Sequence, residues 1–249
     1  MRAPRPPRGA GIFLRRVAVD DEVADWARYP FSLPVVAALR GRRLEFAPGV
    51  TFLVGENGSG KSTLIEALAV AAGLNPEGGS RHFRFTTRST ESELGGALTV
   101  SRAPGRERSS FFLRAETFYN VASEIEAREL ELAPYGGVSL HERSHGQSFL
   151  DLLTHRFRPN GLYLLDEPEA ALSPRGQLAA LTRIDQLTRG GSQFLIATHS
   201  PILPALPGAR ILQIDADGGL HTVAYDDCLP VRATREFLAD PAATLRHLL

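Results

Sequence analysis

The chain has 249 residues, 28 Lys plus Arg against 28 Asp plus Glu, and an apolar fraction of 43%. That is enough apolar material for one large α/β domain or two small ones, and the balanced charge offers no overall basic surface of the kind that marks nucleic-acid binders. One cysteine, Cys228, excludes an intrachain disulfide and any multi-cysteine metal site, and no apolar stretch reaches the roughly 18–20 residues that span a bilayer, so a cytoplasmic protein without direct membrane insertion is expected.

Residues 1–10 carry arginine and proline with no apolar region behind them, which reads as a disordered arm rather than a secretory signal. Residues 11–249 are expected to form a single domain. Alternation of Ile12, Leu14, Val17 and Val19 predicts a strand within Gly11–Asp20. Ala24–Arg40, with Trp26, Tyr29 and Phe31, reads as a packed connection containing a short helix from Pro34 to Leu39, and Leu44–Phe46 as a short strand before the Pro48-Gly49 turn.

Val50–Thr63 is the most informative stretch. An apolar run with β-branched Val50, Thr51 and Val54 stops at Gly55. A G-x-x-x-x-G-K-S loop follows, and then a predicted helix over Thr63–Ala72 with Leu64, Ile65, Leu68, Ala69 and Ala72 on one face. Strand, glycine loop and helix in that order is the context of a phosphate-binding loop, where backbone N–H groups and the helix start attract anionic oxygens. Lys61 can reach the β- and γ-phosphates, and the Ser62 hydroxyl is an expected Mg²⁺ ligand. Lys61 is the one lysine among the 28 basic residues; the others are arginines.

Beyond the glycine-rich break at Gly73–Ser80, Arg81–Ser110 is polar and arginine-rich. Strand-like pieces at Phe83–Phe85 and Leu98–Ser101 predict a small antiparallel excursion, with a flexible segment at Arg102–Ser109. Ser110–Leu113 is a further strand, Thr117–Glu131 leans helical and Ala133–Ser144 is loop.

Ser144-His-Gly146-Gln147 opens a predicted helix, Gln147–Phe157, with Phe149, Leu150, Leu153 and Phe157 at helical spacing. The S-x-x-Q spacing is that of a capping box, and a capped helix start also presents N–H groups to an anion, so both readings stand. Gly161–Asp166 is a buried strand that ends in Asp166-Glu167-Pro-Glu169, placing two carboxylates at the carboxyl edge of the sheet. Asp166 there suits Mg²⁺ through water, and Glu167 suits orientation or deprotonation of an attacking water. Pro174–Arg189 predicts a helix with Leu178, Leu181, Ile184 and Leu187 inward. The strand Gln193–Thr198 delivers His199 to the same edge, where an imidazole can sense a γ-phosphate and hold the water or Glu167. Arg210–Asp215 and Leu220–Ala224 form a hairpin across Asp217-Gly218-Gly219, and a helix over Arg232–Leu238 follows.

Together these motifs resemble the ATP-binding-cassette superfamily. Gly55, Glu56, Asn57, Gly58, Ser59, Gly60, Lys61, Ser62 and Thr63 match Walker A, Asp166 and Glu167 match Walker B, His199 the switch histidine, Ser144, Gly146 and Gln147 the signature, and Ala171–Pro174 the D-loop. The resemblance implies an α/β fold of P-loop NTPase type, with a mostly parallel core sheet, an antiparallel β-subdomain and a small helical subdomain at approximately residues 115–158. It implies ATP and Mg²⁺ as cofactors, Lys61, Glu167 and His199 as catalytic residues, and Ser62, Asp166 and Glu116 around the metal. It also implies a head-to-tail dimer in which Ser144, Gly146 and Gln147 of one copy complete the other's site.

The signature departs from Leu-Ser-Gly-Gly-Gln at Arg143 and His145, and Glu116 stands where transport members carry a glutamine. Phe13 and Phe31 are candidates to stack on adenine, with Arg15 and Arg16 as alternatives. The Walker A and Asp-Glu-Pro-Glu stretches look more like the soluble branch, the chromosome-maintenance and recombination-repair ATPases and their small relatives without coiled-coil arms. The function expected from this is Mg²⁺-dependent ATP hydrolysis driving dimerisation, with DNA or a repair nuclease as partner. The alternatives are the ATPase subunit of a membrane transporter and a nucleotide-gated scaffold with little turnover.

Overall fold

The computed structural model describes residues 10–76, 78–79, 93–115 and 144–248. The strand expected at Phe83–Phe85, the helix at Thr117–Glu131, the loop over 133–143, and much of the 1–10 arm and of the 115–158 subdomain lie outside the described residues. In chain order the elements are β1 (Leu14–Val19), α1 (Pro34–Ala37), β2 (Leu44–Glu45), β3 (Val50–Gly55), α2 (Lys61–Ala71), α3 (Glu93–Gly96), β4 (Leu98–Arg102) and β5 (Ser109–Arg114). After them come α4 (His145–Asp151), β6 (Gly161–Asp166), α5 (Pro174–Arg189), β7 (Gln193–Ala197), β8 (Arg210–Ile214), β9 (Leu220–Val223), α6 (Leu229–Ala239) and α7 (Pro241–Leu248).

Six strands form the core sheet in the order β5-β6-β7-β3-β8-β9. All neighbours are parallel except the β8–β9 hairpin. Helices cover both faces, which is why the central strands read as unbroken apolar runs instead of alternating ones. Along β3, Val50, Phe52 and Val54 join the core on one face, with Phe111, Tyr163, Phe194 and the inner residues of α5. Leu53 points to the other, with Leu164, Leu195, Leu212 and the apolar stripe of α2. On the first face the Phe157 and Tyr163 rings stack nearly parallel, with centroids 4.0 Å apart and 4° between their planes.

A second, three-stranded antiparallel sheet, β2-β1-β4, packs beside α2. The buried side chain of Gln193 joins the two sheets. Its Oε1 accepts from the Phe13 and Leu14 amides at 2.7 and 2.9 Å, and its Nε2 donates to the Leu14 and Ala47 carbonyls at 2.9 and 3.3 Å. A mixed α/β fold with a mostly parallel core and a small antiparallel sheet is the architecture expected from the sequence.

Several details differ from expectation. Helix α2 begins at Lys61, two residues early, because Gly60 caps it in a left-handed conformation. The capped helix after Ser144 begins at His145 and widens into a π-turn over Leu152–Arg156, where Arg183 of α5 donates to the Leu153, Thr154 and Phe157 carbonyls. On α5 itself the inward row is Gln177, Ala180, Ile184 and Leu187; Leu178 is 56% exposed and Leu181 only half-buried. Polar Gln177 takes an inward place because its amide accepts from the Ser200 hydroxyl and donates to the Leu172 carbonyl. The Arg102–Ser109 segment is tied down by an Arg102–Glu107 ion pair and by the Arg108 amide on the Asn160 carbonyl. The segment after Leu238 adds α7.

Candidate active site

Strands β6, β7 and β3 are consecutive neighbours and run parallel, so Asp166, His199 and the Gly55–Lys61 loop emerge at one carboxyl edge, where open α/β sheets place their ligands. The loop needs glycine at Gly60, where φ is 88° and a Cβ would sit 2.6 Å from Val35 Cγ1. The first helical bond runs from the Leu64 amide to the Gly60 carbonyl at 2.9 Å. The amides of Lys61, Ser62 and Thr63 therefore have no intrahelical acceptor and, with the positive end of the helix, suit anionic oxygens. Glu56, Asn57 and Gly58 are exposed at the loop's tip, with the Ser59 amide closing a turn onto the Glu56 carbonyl.

Lys61 is buried, and its Nζ donates to the Gly55 and Glu56 carbonyls at 3.1 and 2.9 Å and to Ser59 Oγ at 3.4 Å. Burial lowers its pKa below the usual lysine value, and the carboxylates of Glu167, Asp166, Glu169 and Glu56 partly oppose that. The Ser62 hydroxyl donates to Asp166 Oδ1 at 3.0 Å, and the other Asp166 oxygen lies 3.4 Å from Arg114 Nε, whose guanidinium also pairs with Glu66. Hydroxyl and carboxylate are the hard oxygen donors that Mg²⁺ takes. Among the described residues no group of three His, Cys, Asp or Glu could hold a metal ion by itself.

Glu167 sits just past β6 in the left-handed region, with φ and ψ both 49°, a conformation that costs a non-glycine residue about 1–3 kcal/mol. It turns the carboxylate back toward β7, and His199 Nε2 lies 3.4 Å from Glu167 Oε1. Ser144 caps α4 with the reciprocal Ser144–Gln147 bonds of the capping box. Ser144 and Gln147 are exposed, while a Cβ on Gly146 would come within 2.9 Å of the Ala171 carbonyl. Among the described residues no hydrogen bond joins this cap to the Gly55–Thr63 loop of the same chain. Glu116 lies outside the described residues. Phe31 is buried in a T-shaped contact with Trp26 and so is not open to a base, and Phe13 packs partly against the core.

Sequence reasoning gave no role to Arg114 or Glu169. Arg114 ends β5 in register with Asp166, and only the strand pairing reveals that. Glu169 accepts the His199 backbone N–H; its one sequence signal was being the third acid in Asp-Glu-Pro-Glu.

Two AAA-domain family profiles match the chain, one described as an AAA domain over residues 35–124, the other over 135–204 with a description that also names the AbiEii toxin and type IV TA systems. The hemin import ATP-binding protein HmuV of Pseudomonas aeruginosa is 32% identical over 197 residues, 70% of this chain and 76% of that protein. The cytochrome c biogenesis ATP-binding export protein CcmA of Cupriavidus necator is 31% identical, over 71% of this chain and 81% of that one. The chain belongs to the ATP-binding-cassette ATPases. As an ATP-binding-cassette ATPase it binds and hydrolyses ATP, and dependence on Mg²⁺ comes with the family in general terms. The SMC head domain of Thermotoga maritima is similar at 15% identity over 84% of this chain and 98% of that one, with a TM-score of 0.41. Among the described residues of this ATP-binding-cassette ATPase, no helix is long and apolar enough to cross a membrane.

Proposed function

We propose that residues 11–249 work as one ATPase domain that closes head to tail with a second copy over two ATP molecules, and that closure is the mechanical output. The observation that carries this is the convergence on one sheet edge of Ser62 with Asp166 and of Glu167 with His199, at 3.0 and 3.4 Å. In this assignment the Gly55–Thr63 loop wraps the β- and γ-phosphates, and Lys61 exchanges its loop carbonyls for phosphate oxygens. Ser62 and Asp166, with Glu116 as a further candidate, would hold Mg²⁺, which when bound supplies positive charge across the phosphates. Glu167 takes the proton of a water aimed in line at the γ-phosphorus, and His199 holds the Glu167 carboxylate in that position. Ser144, Gly146 and Gln147 act on the partner's nucleotide: in their own chain they cap an exposed helix start, and Gly146 is small enough to let α4 rest on Ala171.

Glu167→Gln tests the assignment. It is expected to keep ATP affinity, lower turnover by about 10²–10⁴-fold, and hold the protein at twice the 27.0 kDa mass of the chain in light scattering with ATP. A variant that stays monomeric with ATP would sink the composite site.

For what closure drives, transport is better supported than work on DNA. HmuV and CcmA carry the names of an import and an export ATP-binding protein, whereas the likeness to an SMC head is a loose superposition. The transporter reading expects turnover to be indifferent to DNA. Turnover stimulated by single-stranded, duplex or nicked DNA and lost with rising salt would reverse that preference.

A further inference from the structure

The geometry points to Glu169 as a positioning residue, one that clamps the backbone of His199 so that its imidazole meets Glu167. This rests on the assignment of Glu167 and His199 above. Two loops carry those side chains, one leaving β6 and one leaving β7. They are cross-tied at two points: the Glu167 amide donates to the Ala197 carbonyl at 2.9 Å, and the His199 amide donates to Glu169 Oε1. The first bond extends the sheet by one residue. The second is made by a side chain, and it lies on the reacting pair itself, since it fixes the backbone from which the imidazole projects.

Glu169 is well placed to be rigid. It lies within the 3₁₀ turn Pro168–Ala171, whose start is fixed by Pro168 and whose amides close at Ala170 onto the Glu167 carbonyl and at Leu172 onto the Glu169 carbonyl, 3.0 and 2.9 Å. Immediately after His199, the Ser200 hydroxyl donates to Gln177 Oε1 at 2.6 Å and accepts from the amides of Ile202 and Leu203, while Gln177 Nε2 reaches back to the Leu172 carbonyl. His199 is thus held on its own amide by Glu169 and one residue later by Ser200.

A bond to one backbone amide does not by itself account for a glutamate here. Its second oxygen, Oε2, is buried with no hydrogen-bond partner among the described residues, a costly condition for a carboxylate. The carboxylate also acts electrostatically on Lys61 together with Glu167 and Asp166. A half-satisfied acid at this spot, beside a strained left-handed Glu167, fits a residue kept for the geometry it imposes on its neighbours.

Two variants separate positioning from charge. Glu169→Ala is expected to lower kcat by about 10- to 100-fold, the penalty of misplacing a catalytic group by about an ångström, with the ATP dissociation constant the same as in Glu169→Gln to within about twofold, because both variants remove the charge that acts on Lys61. Glu169→Gln keeps an oxygen for the His199 amide and is expected to restore kcat to within about threefold. In nucleotide-free protein, the ¹H–¹⁵N resonance of the His199 amide should lie downfield in the parent and in Glu169→Gln, and move upfield in Glu169→Ala. Parental kcat in Glu169→Ala, equal losses in both variants, or an unmoved amide would each overturn the clamp. Full turnover in Glu167→Gln would instead sink the underlying assignment, and the amide shift would still decide whether Glu169 holds His199.

Discussion

Lys61 shows how one residue's environment sets a measurable property of the site. Its ammonium is buried among loop carbonyls, and burial lowers its pKa against the pull of Glu167, Asp166, Glu169 and Glu56. Phosphate oxygens favour the charged form, so nucleotide binding takes up a proton wherever the pH lies above the free-state pKa. ATP affinity should therefore follow that pKa. It should weaken about tenfold per pH unit once the pH passes that value, beginning below the ordinary lysine pKa of about 10.4. For the free fold the sign is reversed: holding a charged, buried Lys61 is a cost, present in full below the lowered pKa and relieved as pH rises through it. Calorimetric titrations across the alkaline range, with Tm of the nucleotide-free protein as control, separate the two. Lys61→Arg stays charged throughout, so its affinity, weaker overall, should lose the steep pH dependence; a parallel slope in parent and variant would refute the assignment.

At the scale of elements, the two sheets depend on a side chain whose role no pattern reveals. Gln193 spends all its hydrogen-bonding capacity on the Phe13, Leu14 and Ala47 backbone. Gln193→Leu buries those groups unpaired and is expected to cost about 2–4 kcal/mol, at about 1–3 kcal/mol per orphaned group with partial relaxation. For a chain of this length that is a Tm lower by roughly 5–15 °C, while kcat per folded molecule stays near the parent because no residue at the carboxyl edge is touched. Thermal unfolding paired with turnover measures both, and a loss of kcat without a loss of Tm would contradict the separation. The same contrast explains what the sequence could show. Strands β3, β6 and β7 were legible because burial on both faces leaves an unbroken apolar run, and the phosphate loop because glycine and lysine are needed at fixed spacing. Gln193, Arg114 and Glu169 were not legible: each acts across strand pairings between distant parts of the chain, which local composition does not encode. The α5 face misled for a related reason, since exposed Leu178 fits a helical stripe as well as buried Gln177 does.

At the scale of the whole molecule, the residues proposed for the site fall into two groups. The phosphate loop, Asp166, Glu167 and His199 share an edge, whereas Ser144 and Gln147 bond to each other on an exposed helix start that, among the described residues, makes no hydrogen bond to that loop. A second copy rotated head to tail would bring the cap of one chain over the nucleotide of the other, and this makes Ser144 a discriminating position. Ser144→Ala removes the cap, worth about 1 kcal/mol, but leaves the helix start open to an anion. Ser144→Arg removes the same cap and also projects a long side chain into the proposed interface. Both should bind ATP as monomers with nearly the affinity of the parent, since Lys61 and Ser62 are remote from the change. In a Glu167→Gln background, where closure is trapped, Ser144→Ala should still reach double mass with ATP at somewhat higher protein concentration, and Ser144→Arg should remain at single mass. Equal dimerisation of the two would mean that the cap only ends a helix, and that the second half of the ATP site lies elsewhere.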